Sequence, residues 1–141
     1  MGGLRRGGRA GDVSAFLLDT NAFAMALTDD PRLPAVPRAR MEQASRLTVA
    51  AISFYEIGQK VRLGRWPEML PHLGELEARA RADGYDLVPL TAAVALEASM
   101  MDWNHRDPFD RLIAALARRE GLPLLSSDAA FDEIGIPRFW R

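Results

Sequence analysis

An α/β domain built on a central parallel sheet is the architecture this sequence predicts, and three observations carry it. Short apolar runs recur at Ala15–Leu18, Leu47–Ile52, Asp86–Leu90 and Leu122–Ser126, the intervals between them show helical spacing and capping residues, and polar residues collect just after the runs. Near-continuous apolar runs of this length read as strands buried on both faces. Strands alternating with helices imply right-handed crossovers, hence a three-layer α/β/α sandwich with a parallel sheet.

The elements follow in order. Met1 to Asp12 is glycine and arginine with one leucine, so it cannot bury a core and is expected to be a flexible leader; the domain is expected to span residues 13–141. The run ending at Leu18 stops at Asp19-Thr20-Asn21, and Ala22 to Leu27 can continue as a helix. Asp29 to Pro37 is loop by its proline and aspartate content, and a helix is expected from Pro37 to Ala44. The β-branched run Leu47–Ile52 is the second strand, followed by a helix from Ser53 in which Ser53 and Glu56 have capping-box spacing. Gly64, Trp66 and Pro67 break that helix, and Glu68 to Ala82 resumes with Leu70, Leu73 and Leu76 until Asp83-Gly84 ends it. Beyond the third strand, Thr91 caps a helix running to about Trp103, and Asp107-Pro108 opens another reaching Glu120-Gly121 before the fourth strand.

Composition narrows the function classes. With 141 residues, 48% hydrophobic and 26% charged, the chain suits one globular domain, and the absence of cysteine excludes disulfides, thiolate zinc sites and cysteine nucleophiles. No apolar run approaches the roughly 20 residues of a membrane span, and the Arg5-Arg6 start lacks a signal-peptide pattern, so a cytoplasmic protein is expected with no membrane partner. A net charge of −1 provides no bulk basic footprint for nucleic acid. Of the basic residues all but Lys60 are arginine, so phosphate contacts would be local arginine forks, with Arg38, Arg40, Arg62, Arg65 and Arg111 as candidates and solvated surface as their plainer role. His72 and His105 are too few and too far apart to suggest zinc and are expected in surface or capping roles.

Ligands of open parallel sheets bind at the carboxyl ends of the strands, which directs attention to acids placed just after the runs. Asp19 and Asp128 lie there, Glu56 lies early in the helix after the second strand, and Asp110 lies in the first turn opened by Pro108. Helix or turn capping is the plain alternative for each of the four, and for Asp107 it is the leading one. Converging carboxylates repel one another unless a cation compensates, and Mg2+ or Mn2+ on carboxylate oxygens suits phosphodiester hydrolysis. A haloacid-dehalogenase-like phosphatase would want a second aspartate where Asn21 stands, and a receiver domain would want a lysine at a late strand end; a binding scaffold that does not cleave is the other alternative.

Leu17-Leu18-Asp19-Thr20-Asn21, Ser53-Phe54-Tyr55-Glu56, Asp107-Pro108-Phe109-Asp110-Arg111-Leu112-Ile113-Ala114-Ala115 and Leu125-Ser126-Ser127-Asp128 together resemble the PIN-domain ribonucleases, specifically the toxin subunits of VapBC toxin-antitoxin pairs. The resemblance runs in order from Val13 to the C-terminus. It implies an endoribonuclease with Asp19, Glu56, Asp110 and Asp128 as catalytic acids and with Asp19, Asp110 and Asp128 as ligands of Mg2+ or Mn2+. It further implies Asp107 as an accessory acid, Asn21 beside Asp19, and Ser126 serving a carboxylate or water where the family often has threonine. An RNA substrate, a small antitoxin whose tail lies in a hydrophobic groove, and a homodimer are implied as well. Met25, Met41, Met69 and Trp66 are candidates for the groove, with core filling the plainer alternative.

Overall fold

The structure is a computed structural model that describes residues 14–141, so the expected leader over residues 1–12 lies outside the described residues. Strand β1 (Ala15–Leu18) leads into α1 (Thr20–Leu27) and α2 (Ala35–Gln43), and β2 (Arg46–Ala50) into α3 (Ala51–Arg62). A 3-10 segment, Pro67–Glu75, joins α4 (Leu76–Ala82), then come β3 (Asp86–Val88), α5 (Ala92–Met100) and α6 (Pro108–Glu120). β4 (Leu124–Leu125), a 3-10 segment at Ala129–Ile134 and β5 (Arg138–Phe139) complete the chain. All strand pairs are parallel, in the order β3-β2-β1-β4-β5.

The period-two alternation of strands explains the three layers. Phe16 and Leu18 of β1 pack with Val49, Leu125, Phe23 of α1 and Ile57 of α3 on one face. Leu17 points the other way, onto Val94 of α5, Ile113 of α6 and Phe131. All of these side chains are buried, and each contributes roughly 1.5–3 kcal/mol by leaving water.

Four boundaries differ from the sequence reading. β2 stops at Ala50 and α3 begins at Ala51, so Ser53 stands inside the first turn rather than at its cap, and the N-cap residue makes no side-chain cap bond. α2 starts at Ala35; Pro37 fits its first turn because the amide it lacks would have no helical partner there. The expected continuous helix over Glu68–Ala82 is 3-10 as far as Glu75, with Pro71 inside it, whose ring would clash with the carbonyl four residues back in an α-helix. β5 went unforeseen, since two residues carry no periodic signal; it is held by Leu124 N–H donating to Pro137 O (2.8 Å) and Ser126 N–H to Phe139 O (3.3 Å). Among the described residues no helix is long and apolar enough to cross a membrane.

The link between α5 and α6 is held by one side chain. Arg111 donates to the carbonyls of Ala98 (2.9 Å), Ser99 (3.5 Å), Met101 (2.7 Å), Trp103 (2.7 Å) and His105 (3.0 Å), so its planar fork organises the whole connection and is not available for phosphate. Arg111→Ala is expected to destabilise the protein by about 3 kcal/mol in urea unfolding, because several carbonyls lose a charged donor together. Arg111→Lys is expected to recover less than half of that, since a point charge cannot span carbonyls that diverge around the guanidinium plane.

Candidate active site

The order β3-β2-β1-β4-β5 reverses direction between β1 and β4, and at such a switch point the loops leave the carboxyl ends of the strands on opposite sides and open a crevice. Asp19 N–H donates to Leu125 O (3.3 Å), which carries the β1–β4 pairing one residue beyond β1 and sets Asp19 beside Ser126. The Asp19 carboxylate is buried. Its Oδ1 accepts from Ala22 N–H (2.9 Å) as the N-cap of α1, and its Oδ2 accepts from Ser126 Oγ–H (2.5 Å). Ser126 Oγ in turn accepts from Asp128 N–H (3.0 Å), tying the loop after β4 to the same carboxylate.

Glu56 enters from α3 and is buried like Asp19. The Thr20 hydroxyl donates to Glu56 Oε1 (2.6 Å) while lying 2.8 Å from Ser53 Oγ, and Lys60 Nζ meets Glu56 Oε2 at 2.9 Å one helical turn on. The capping-box reading of Ser53 and Glu56 therefore gives way to a contact across elements. Asp107 caps α6, its Oδ1 accepting from Phe109 N–H (2.9 Å) and Asp110 N–H (3.4 Å). Asp110 itself meets His105 Nε2 through Oδ2 at 2.7 Å.

Charge accounts for the behaviour of this crevice. Burial pushes the Asp19 carboxyl up to about 6, the bonds from Ser126 and Ala22 oppose the rise, and the charges of Asp110 and Glu56 add to it. Asp110 is likewise pushed up to about 6, first by burial, with the His105 bond opposing and Asp107 and Glu56 adding. His105 is raised in turn, chiefly by its bond to Asp110 and further by the charges of Asp110, Asp128 and Asp107. Asp19 and Asp110 thus each feel a neighbouring acid, Glu56 among them, on top of the larger effect of burial. All-oxygen carboxylate donors short of positive charge are the chemistry that suits a hard divalent cation.

The remaining expected residues are placed less centrally. Asp128 is exposed; its Oδ1 accepts from Ala130 N–H (2.9 Å) as the cap of the following 3-10 turn, and its charge is felt by His105 and Arg138. Asn21 is exposed and lines a groove of about 560 Å3 that also takes in Ser127, Met25, Trp66, Met69 and His72. Met41 and Met69 are both buried in the core, Met69 with one edge on the groove, while Met25 and Trp66 are half-buried against it. Of the candidate arginines, Arg38 pairs with Asp29 (2.6 Å) and Arg40 lies over the Phe139 ring at 4.7 Å, while Arg62 and Arg65 are exposed near the end of α3. Three site residues were missed by the sequence reading: Thr20, Lys60 and His105. Lys60 had a local signal, the Glu-to-Lys spacing of four on one helix. His105 had only its nearness to Asp107-Pro108, yet His105, Asp107 and Asp110 are the described residues that bring three ligand atoms within 4.8 Å of one another.

Comparison with known proteins identifies the family and the fold. The PIN domain family model matches residues 16–137. Ribonuclease VapC22 of Mycobacterium tuberculosis is 30% identical over 119 residues, covering 82% of this chain and 88% of that protein. Among solved structures, Mycobacterium tuberculosis VapC20, described as a sarcin-ricin loop cleaving toxin, aligns at a TM-score of 0.62 with 17% identity over 90% of this chain and 100% of that one. DNA-bound VapBC from Salmonella typhimurium gives 0.62 with 19% identity over 90% and 98% of the two chains. FitAcB from Neisseria gonorrhoeae gives 0.60 with 20% identity over 88% and 96%. These structural likenesses establish the shared fold, and with a family model that runs from β1 to the residue before β5 together with the VapC22 identity, this chain belongs to the PIN-domain family.

Proposed function

We propose that this PIN domain, residues 13–141, is an endoribonuclease that hydrolyses RNA phosphodiester bonds with Mg2+ or Mn2+ and acts in the cytoplasm as the toxin of a toxin-antitoxin pair. The observation that carries the reading is the gathering of Asp19, Glu56 and Asp110, buried or partly buried, in one crevice where burial and neighbouring acids push the Asp19 and Asp110 carboxyls up, a cost that a divalent ion would relieve. The name of the VapC22 relative, a ribonuclease, supports the activity. A neighbouring structure described as a toxin-antitoxin complex, from Klebsiella pneumoniae, supports the partner.

In this reading Asp19, Asp110 and Asp128 hold the ion and Glu56 completes the acidic set. A bound divalent ion supplies charge neutralisation at the scissile phosphate and lowers the pKa of an attacking water. The chain's own part is orientation. Ser126 and the α1 amide turn both Asp19 oxygens, Thr20 and Lys60 hold the two Glu56 oxygens, and Asp107 fixes the first turn of α6 that carries Asp110. The groove from Asn21 and Ser127 to Met25, Trp66 and Met69 is the proposed seat of the antitoxin tail, since it runs from apolar side chains to the rim of the acids. Tyr55, Leu96 and Met100 are large exposed apolar side chains on α3 and α5 and are proposed for the homodimer contact.

Purified protein freed of partner is expected to cleave RNA with Mg2+ or Mn2+ and to stop in EDTA. Asp19→Asn and Asp110→Asn should each lose at least 100-fold in rate with unchanged circular dichroism; wild-type cleavage by either variant would remove the site assignment.

The raised Asp19 carboxyl also sets a pH dependence of stability. A carboxyl higher in the folded than in the unfolded state favours folding in its protonated form, so its contribution is complete below about 4 and is lost as pH rises through about 6. In EDTA, Asp19→Asn should therefore be more stable than wild type at pH 8, by up to about 3 kcal/mol, with the gap closing toward pH 4. Thermal melts across that range, with no narrowing of the gap at low pH, would contradict the electrostatic account.

The toxin role predicts that induction of the gene halts growth and that co-expression of its cognate antitoxin restores it. Met25→Arg, at the half-buried wall of the groove, should leave RNA cleavage in place while weakening that rescue; unimpaired growth from soluble intact protein would remove the role.

A further inference from the structure

The connection from α5 to α6 delivers a nitrogen donor to the acids. The His105 ring stacks on Trp103 with centroids 4.7 Å apart at 27°, and Trp103 is fixed by Nε1–H donation to Glu133 Oε1 (3.0 Å) and by Phe131 at 5.7 Å. Arg111 holds the carbonyls of Trp103 and His105 themselves, so both ring and backbone are set in place. His105 Nε2 then lies 2.7 Å from Asp110 Oδ2, and Asp107 brings a carboxylate oxygen into the same 4.8 Å group. Both cap bonds of Asp107 fall on Oδ1, so capping leaves its second oxygen for another role.

These spacings suit one coordination sphere. Adjacent ligands of an octahedral ion with bonds of about 2.1 Å stand about 3 Å apart, and opposite ones about 4.2 Å. Opening the His105–Asp110 contact by a few tenths of an ångström would let both atoms face the same ion. Resting on the metal-dependent reading above, we propose that His105 is a nitrogen ligand of the divalent ion together with Asp107 and Asp110, and that this donor makes the site favour Mn2+ over Mg2+. Imidazole nitrogen suits transition-metal ions, whereas Mg2+ takes oxygen ligands and keeps several waters, so one nitrogen tips the balance toward manganese. The ligand set then differs from three aspartates alone.

The test is electron spin-echo modulation of Mn2+ bound to the full chain freed of partner, alongside Mn2+ and Mg2+ titrations. Wild type should show coupling to an imidazole nitrogen, and His72→Ala should keep it. His105→Ala should lose the coupling and bind Mn2+ about tenfold or more weakly. His105→Asp, which restores an oxygen donor, should regain uptake without nitrogen coupling and with a smaller Mn2+/Mg2+ affinity ratio. Bound manganese with no nitrogen coupling in wild type, or coupling that survives His105→Ala, would overturn the assignment of His105 and leave the ribonuclease reading standing. No manganese uptake by wild type at millimolar concentration would overturn both.

Discussion

Carboxylates drawn out of water beside one another are the constraint around which this molecule is arranged. Asp19 and Glu56 are buried, Asp110 is partly so, and Asp19 and Asp110 are pushed up to about 6, mainly by desolvation and further by neighbouring acids. Each acid has a local answer. Asp19 uses the Ala22 amide and the Ser126 hydroxyl, Glu56 uses Thr20 and Lys60, and Asp110 uses His105. For Asp19 and Asp110 these answers do not cancel the cost of burial, and a divalent ion would supply the missing positive charge.

Holding like charges together requires a rigid frame. The β1–β4 pairing provides it, since Leu17 and Leu18 are fully buried on opposite faces of the sheet and fix where Asp19 must emerge. A one-residue slip would exchange these faces and carry Asp19 away from Ser126. On the other wall of the crevice, Arg111 bonded to five carbonyls replaces the regular structure that the link between α5 and α6 lacks. The stability of the fold and the geometry of the acids thus depend on the same few contacts.

Lys60 illustrates how a site can be tuned beyond its acids. Its ammonium lies between Glu56 and the face of Trp66, whose ring borders the groove. Anything seated against Trp66 would share an environment with the cation that holds Glu56. Groove and crevice are in this way adjoining parts of one surface.

Sequence alone determined the layered fold and the placement of the acids along it. Apolar runs and caps such as Thr91, Asp107 and Gly121 act over a few residues, so the energies that start and end helices are written locally. Where two local signals competed, the reading drifted: Ile52 looked like strand but joins α3, and Pro71 turned an expected α-helix into 3-10. Tertiary structure decided what each side chain faces. Ser53–Glu56 has the spacing of a capping box, yet Glu56 is taken by Thr20, which is 36 positions away in sequence. Arg111 reads as a phosphate fork and is a backbone clamp, while His105 reads as a surface residue and meets Asp110. Such contacts depend on how separate elements dock, and docking is settled by packing over the whole core, which no short stretch of sequence contains.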